Sequence, residues 1–133
     1  MIHYQSLFFL LITLLPVGGS NDRLPKTKFG IFRVQPDETT AVMDGEIRRR
    51  TLQDFEKMIA RYPDLEIIQM REVPGSLDDE TALALSVKVH LRGIRTHILD
   101  QGEIASGGVD FFLAGVRRTK GTHTRIGVHA WDN

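Results

Sequence analysis

The sequence predicts an α/β fold with a mostly parallel sheet flanked by helices. Runs of strand length rich in β-branched and aromatic residues recur from Phe29 onward. Between them stand segments whose apolar residues repeat with helical spacing, and Gly or Pro punctuates most junctions. Strands separated by helices favour parallel pairing, because a parallel neighbour is reached only by a long crossover, usually a helix.

Asn21 to Lys28 reads as a polar linker, and Phe29 to Val34 (FGIFRV) as a short strand closed by a turn at Pro36 and Asp37. Thr39 to Ile47 reads as a second strand in which Gly45 marks a bend. In Thr51 to Tyr62, Leu52, Phe55, Met58 and Ile59 fall on one helical face; Thr51 followed by Asp54 predicts a capping box, and Pro63 stops the helix. Leu65 to Val73 is expected to be a core strand that runs straight into the turn Pro74-Gly75-Ser76. Asp78, Asp79 and Glu80 then suit the positive end of a helix running to about Leu91, with Ala82, Leu85 and Val89 inward and Gly93 at its end. Thr96 to Leu99 is predicted as a strand and Val109 to Gly115 as an apolar helix with Phe111, Phe112 and Leu113 in the core. A basic turn is expected at Arg117, Arg118, Lys120 and Gly121, and a terminal strand over Thr124 to Ala130.

The 133 residues fit one domain, placed over 29–133. Seventeen Lys and Arg balance 17 Asp and Glu, which argues against a nucleic-acid protein, whose affinity comes largely from cations neutralising phosphates. The absence of cysteine excludes disulfides and thiolate metal sites. Residues 1–20 contain no Asp, Glu, Lys or Arg, and Leu7 to Val17 is an apolar run too short to span a bilayer, which takes ~20 residues. Its length, and the small residues Gly18, Gly19 and Ser20 after it, predict a signal peptide cleaved after Ser20 and an exported, periplasmic protein. The n-region lacks Lys and Arg, so a buried N-terminal helix is the other reading, and an uncleaved segment would tether the chain to the membrane.

In α/β sheets, sites gather beyond the carboxyl ends of strands, where loops meet helix N-termini. Two junctions qualify: Val73-Pro74-Gly75-Ser76 and Ile104-Ala105-Ser106-Gly107-Gly108. A serine there sits at the positive end of a helix, and its neighbouring glycines allow a sharp turn and close substrate approach. The amides of Gly75 and Gly107 are candidates to hold an oxyanion jointly. Serine needs a base, and His129 is the candidate, 23 residues after Ser106, which leaves room for one helix and a return strand. His97, His123 and His129 form no HxH or HExxH pattern, so no metal site is assigned, and no phosphate loop is present.

The segments GEIASGGVDFFLAG and VRRTKGTHTRIGVHAW, preceded by MDGEI, LEIIQMREV and PGSLDD, resemble the Clp-type serine peptidase and crotonase-like superfamily. The likeness is to the small exported Clp-like proteins of bacteria and covers about residues 41 to 131. It implies Ser106 as nucleophile, His129 as base, and Gly75 and Gly107 as oxyanion donors, with no cofactor and a peptide or other acyl substrate. Such relatives assemble into rings or trimers, so the resemblance implies an oligomer. Relatives carry two glycines after the proline where this chain has Gly75 and Ser76, and they take an orienting aspartate from well beyond the histidine. Because the sequence ends at Asn133, a C-terminally truncated relative with a slow Ser-His dyad is expected. The ASGG segment also resembles signal-peptide peptidase A, a serine-lysine enzyme, but neither Lys88 nor Lys120 stands at a matching position. The alternative is a non-catalytic binding or structural module that keeps the fold without a complete site.

Overall fold

Hydrophobic alternation sorts the chain into a sheet with helices on one side. A computed structural model describes residues 23–128. The segment at 1–22, with the expected signal peptide, and residues 129–133, with His129, lie outside the described residues. The elements in order are β1 (Lys28–Phe29), β2 (Phe32–Val34), β3 (Thr40–Met43), α1 (Arg49–Arg61), β4 (Ile67–Val73), α2 (Asp79–Leu91), β5 (Arg95–Ala105), α3 (Gly107–Ala114), β6 (Arg118–Lys120) and β7 (Arg125–Gly127).

The sheet is mixed, in the order β1-β2-β3-β4-β5-β6, with β7 also paired to β5. Pairing is antiparallel for β1-β2 and β2-β3 and parallel from β3 through β7. The helices α1, α2 and α3 each make a crossover that steps one strand in the same direction. Crossovers of one hand stepping one way leave their helices on one face, and α2 accordingly packs between α1 and α3. Among the described residues, no helix is long and apolar enough to cross a membrane.

Period-two burial defines the core. Ala41 and Met43, Ile68 and Met70, and Thr96 and Ile98 point under the helices, where α1 supplies Phe55, Met58 and Ile59, and α2 supplies Ala82, Leu85 and Val89. Phe32, buried from β2, meets Phe55 at 5.8 Å and Phe111 of α3 at 6.4 Å between ring centroids, linking the antiparallel edge to the helix after Ser106. The polar member of the buried row, Thr96, donates its hydroxyl to the Phe112 carbonyl at 2.7 Å, which ties β5 to α3.

Several expectations are corrected. FGIFRV is not one strand but a tight hairpin: Gly30 takes φ 57°, and Phe29 pairs back onto Phe32. Periodicity within six residues cannot separate one strand from two when a glycine reverses the chain. The first helix starts at Arg49, and Thr51 sits in its first turn, where its hydroxyl accepts from the Arg48 amide at 2.9 Å; Asp54 instead pairs with Arg50 at 3.8 Å. The strand expected at Thr96 to Leu99 is 11 residues long and runs on to Ala105. A bulge interrupts it: Met70 faces Ile98, but Glu72 faces Glu103, so β5 spends extra residues around Gln101, which has φ 61°. The basic turn is in fact β6, paired to Thr96, His97 and Ile98. Leu113 is 54% exposed rather than core.

Asp78 caps α2, accepting from the Thr81 amide at 3.0 Å and from Arg49 Nε at 3.1 Å. The Thr81 amide, helped by the Arg49 guanidinium, holds its carboxyl below the usual 3.8. A lowered folded-state pKa contributes stability above the unfolded value and loses it as pH falls through the folded one. The melting-temperature advantage of the wild type over Asp78→Asn is therefore expected at pH 6 and should shrink as pH drops below 3.8.

Candidate functional site

Ser106 is the single residue between the end of β5 and the start of α3. The strand arrives in the plane of the sheet and the helix leaves over its face, so one residue must make the turn. It does so at φ 51°, ψ −121°, a sparsely populated region for a residue with a Cβ, costing about 1–3 kcal/mol. The Ser106 carbonyl begins α3 by accepting from the amides of Val109 at 2.8 Å and Asp110 at 3.3 Å. Its hydroxyl makes no capping bond to the helix, and the residue is half-buried. A sharp, strained strand-to-helix turn is how hydrolases of another fold lift a nucleophilic hydroxyl clear of the sheet.

The Pro74-Gly75-Ser76 turn interlocks with this one. A Cβ on Gly75, whose φ is 148°, would lie 3.5 Å from Ser106 Cβ and 4.0 Å from its Oγ. A Cβ on Gly107 would lie 2.8 Å from both Cβ and Oγ of Ser76. Each turn thus sets its glycine against the other's serine. Gly108 is pressed closer still, since a Cβ there would lie 2.5 Å from the Val73 carbonyl oxygen. The first turn is pinned from a third side by Ile47, whose amide donates to the Gly75 carbonyl and whose carbonyl accepts from the Leu77 amide, both at 2.9 Å.

Among the described residues, the amides of Gly75 and Gly107 donate to no backbone carbonyl outside the helix and strand ladders. Gly107, as the first residue of α3, has no acceptor within its own helix. Both glycines are buried, and Gly75 lies against Ser106. The second serine, Ser76, is engaged differently: its hydroxyl donates to Asp79 Oδ1 at 3.4 Å. The sequence marked Ser76 only as part of a turn; its contact with Gly107 and Asp79 depends on register that no local pattern carries.

The expected base, His129, lies outside the described residues. The strand that leads to it is described. β7 runs parallel to β5 with Ala105 facing Gly127, and the Ser106 amide donates to the Gly127 carbonyl at 3.3 Å. Of the described histidines, two have partners away from Ser106. His97 Nδ1 is 2.7 Å from Thr119 Oγ1 at the far end of β5, and His90 Nδ1 lies 3.1 Å from the Ala114 carbonyl, to which its N–H donates in that tautomer. His123 lies in the β6-β7 loop with φ 54°. Neither lysine that a serine-lysine pair would need is beside Ser106. Lys88 pairs with Glu56 on α1 at 2.9 Å, and Lys120 faces Ile98, eight residues upstream of the serine.

On the sheet face away from the helices, an open polar cleft is lined by Glu72, Gln101, Glu103, His123, Thr124 and Arg125. Its ion pair, Arg125 to Glu103 at 3.8 Å, is solvated, with side chains 81% and 50% exposed. Among the described residues, no group of three His, Asp or Glu side chains is placed to hold a metal ion. The arrangement at Ser106 sets one serine at a helix N-terminus against the Gly75 turn, a position whose field suits negative charge. The chain matches no family model, no curated protein and no solved structure.

Proposed function

We propose that the protein is a serine hydrolase of the Clp-like, crotonase-related kind, exported and acting on peptide or other acyl substrates. The observation that carries this reading is Ser106 held in a strained turn between β5 and α3, next to the glycine turn at Gly75. Strain of this kind persists only where surrounding structure over-determines it, and it clusters at reactive positions.

In this reading Ser106 Oγ attacks the acyl carbonyl carbon while His129 takes its proton. The carbonyl oxygen becomes an oxyanion that accepts from the Gly75 and Gly107 amides. Collapse of the intermediate breaks the bond to the amine or alcohol, which leaves with the proton returned by His129. Water then repeats the attack on the acyl-serine and regenerates the hydroxyl. The register of Ala105 against Gly127 supports the pairing of residues, because β7 approaches Ser106 from the adjacent strand.

A fluorophosphonate probe tests the proposal directly. The wild type is expected to be labelled in a time-dependent way and Ser106→Ala to remain unlabelled; equal labelling of the two would reject Ser106 as the nucleophile. His129→Ala is expected to slow labelling while leaving far-ultraviolet dichroism unchanged.

A further inference from the structure

β6 and β7 keep one register against β5. Arg118 to Lys120 face Thr96 to Ile98, Arg125 to Gly127 face Glu103 to Ala105, and the same offset in sequence holds on both sides of the interruption. Leu99 to Gly102 of β5 therefore stand opposite Gly121 to Thr124. Each stretch holds one residue in the left-handed region, Gln101 at φ 61° and His123 at φ 54°, and counting from either ladder sets the two opposite each other. Left-handed backbone is uncommon for residues with a side chain, so two at matched positions on neighbouring strands mark a shared distortion. β4 does not follow it, since Met70 faces Ile98 while Glu72 already faces Glu103. The bulge of β5 is thus copied by its outer neighbour and not by its inner one.

Asp100 joins the two distortions. Its Oδ1 accepts from the Thr122 amide at 2.9 Å, the Gln101 amide donates to the Thr122 carbonyl at 2.8 Å, and the Gly121 amide donates to the Ile98 carbonyl at 2.8 Å. Both strands give up a side chain where they press together. A Cβ on Gly121 would strike the Asp100 carboxylate and lie 2.7 Å from the Asp100 amide nitrogen, and one on Gly102 would lie 2.8 Å from the Leu99 carbonyl oxygen. β7 has three residues, all exposed, so side-chain burial does not choose its register. The match of the bulges chooses it, and a slip of one residue would turn every side chain of β7 to the other face.

We propose that Asp100 is a positioning residue for the serine site. By closing the paired bulges it sets β7 in the register that lets the Gly127 carbonyl accept from the Ser106 amide at 3.3 Å, and so aims the chain that carries His129 at Ser106. The register role stands on the hydrogen bonds alone; its consequence for the base rests on the hydrolase reading.

Amide hydrogen exchange of the full-length protein tests the register by itself. Asp100 is exposed, so the fold is expected to survive its substitution. In Asp100→Ala the amides of Ser106 and Thr122 should exchange at least ~10-fold faster than in the wild type, with those of α1 unchanged. Asp100→Asn keeps an acceptor at Oδ1 and should exchange as the wild type does. Gly121→Ala, which drives a methyl onto the Asp100 carboxylate, should repeat the Asp100→Ala pattern from the other strand. Fluorophosphonate labelling of Ser106 reads the consequence: Asp100→Ala is expected to slow it by ~10-fold or more and Asp100→Asn to leave it unchanged. His129→Ala should cost little further in the Asp100→Ala background, because a base already misaimed has little left to lose. Unchanged exchange at Ser106 and Thr122 in both Asp100→Ala and Gly121→Ala would overturn the register role. Faster exchange with unslowed labelling, or additive losses with His129→Ala, would overturn the positioning of the base. A wild type that is never labelled would reject the hydrolase reading instead, and the exchange rates would still decide the register.

Discussion

Gly108→Ala is expected to destabilise the protein by about 3 kcal/mol, near the upper end of the usual overpacking range, lowering the melting temperature by roughly 15 °C. The added methyl would lie 2.5 Å from the Val73 carbonyl oxygen and 3.0 Å from Val73 Cγ1. The carbonyl belongs to the backbone of β4, which is fixed there by pairing of Val73 with Ile104 of β5 and by the Gly45 amide donating to the Glu72 carbonyl, so it has little room to move. The movable partner is α3, and displacing it would disturb Phe111 and Phe112 in the core. Gly93→Asn provides the contrast. Gly93 has φ 68°, and nothing lies within 4 Å of the position its Cβ would take. Asparagine tolerates that conformation, so the loss there should stay below ~1 kcal/mol. Thermal unfolding of the two variants checks the ranking, and similar melting temperatures would show that α3 does not pack on β4 as closely as described.

Ser106→Gly is expected to move stability and activity in opposite directions. Glycine adopts φ 51°, ψ −121° without the steric cost borne by a residue with a Cβ, so this variant should be about 1 kcal/mol more stable than Ser106→Ala. Both variants lack the hydroxyl and should lose on the order of 10³-fold or more in acyl-transfer rate, as removal of a nucleophile does. Chemical denaturation and a turnover assay on the same preparations read the two effects. Equal stability of the glycine and alanine variants would mean that Ser106 is not strained, and retained activity would mean that it is not the nucleophile.

The helices and the strand leading into the first glycine turn are legible in the sequence for physical reasons. Phe55, Met58 and Ile59 occupy a single helical stripe, Asp78 is a good N-cap, and Ile68 and Met70 alternate with less buried neighbours. Both glycine turns are legible because Gly and Pro leave few backbone alternatives. What the sequence hid depends on distant partners. The hairpin at Gly30 needs Lys28 to find Arg33, and β6 is a strand only because Thr96, His97 and Ile98 offer it hydrogen bonds. Its three residues, Arg118, Thr119 and Lys120, are all exposed and carry no burial pattern of their own. The extra length of β5 was masked by its bulge, which breaks the alternation at Asp100 and Gln101. Ser106 was identifiable as a candidate from its glycines, but its unusual dihedral angles and the reciprocal contacts of Gly75 with Ser106 and Gly107 with Ser76 arise only when two distant turns meet.

The most direct test of the account is to locate the covalent adduct. After reaction of the full-length protein with a fluorophosphonate, peptide mapping by tandem mass spectrometry is expected to find the phosphonyl group on Ser106 and on no other serine. An adduct on Ser76, which the structure engages with Asp79, or a chain that stays unmodified at long times, would contradict the assignment of the strained turn as a reactive centre.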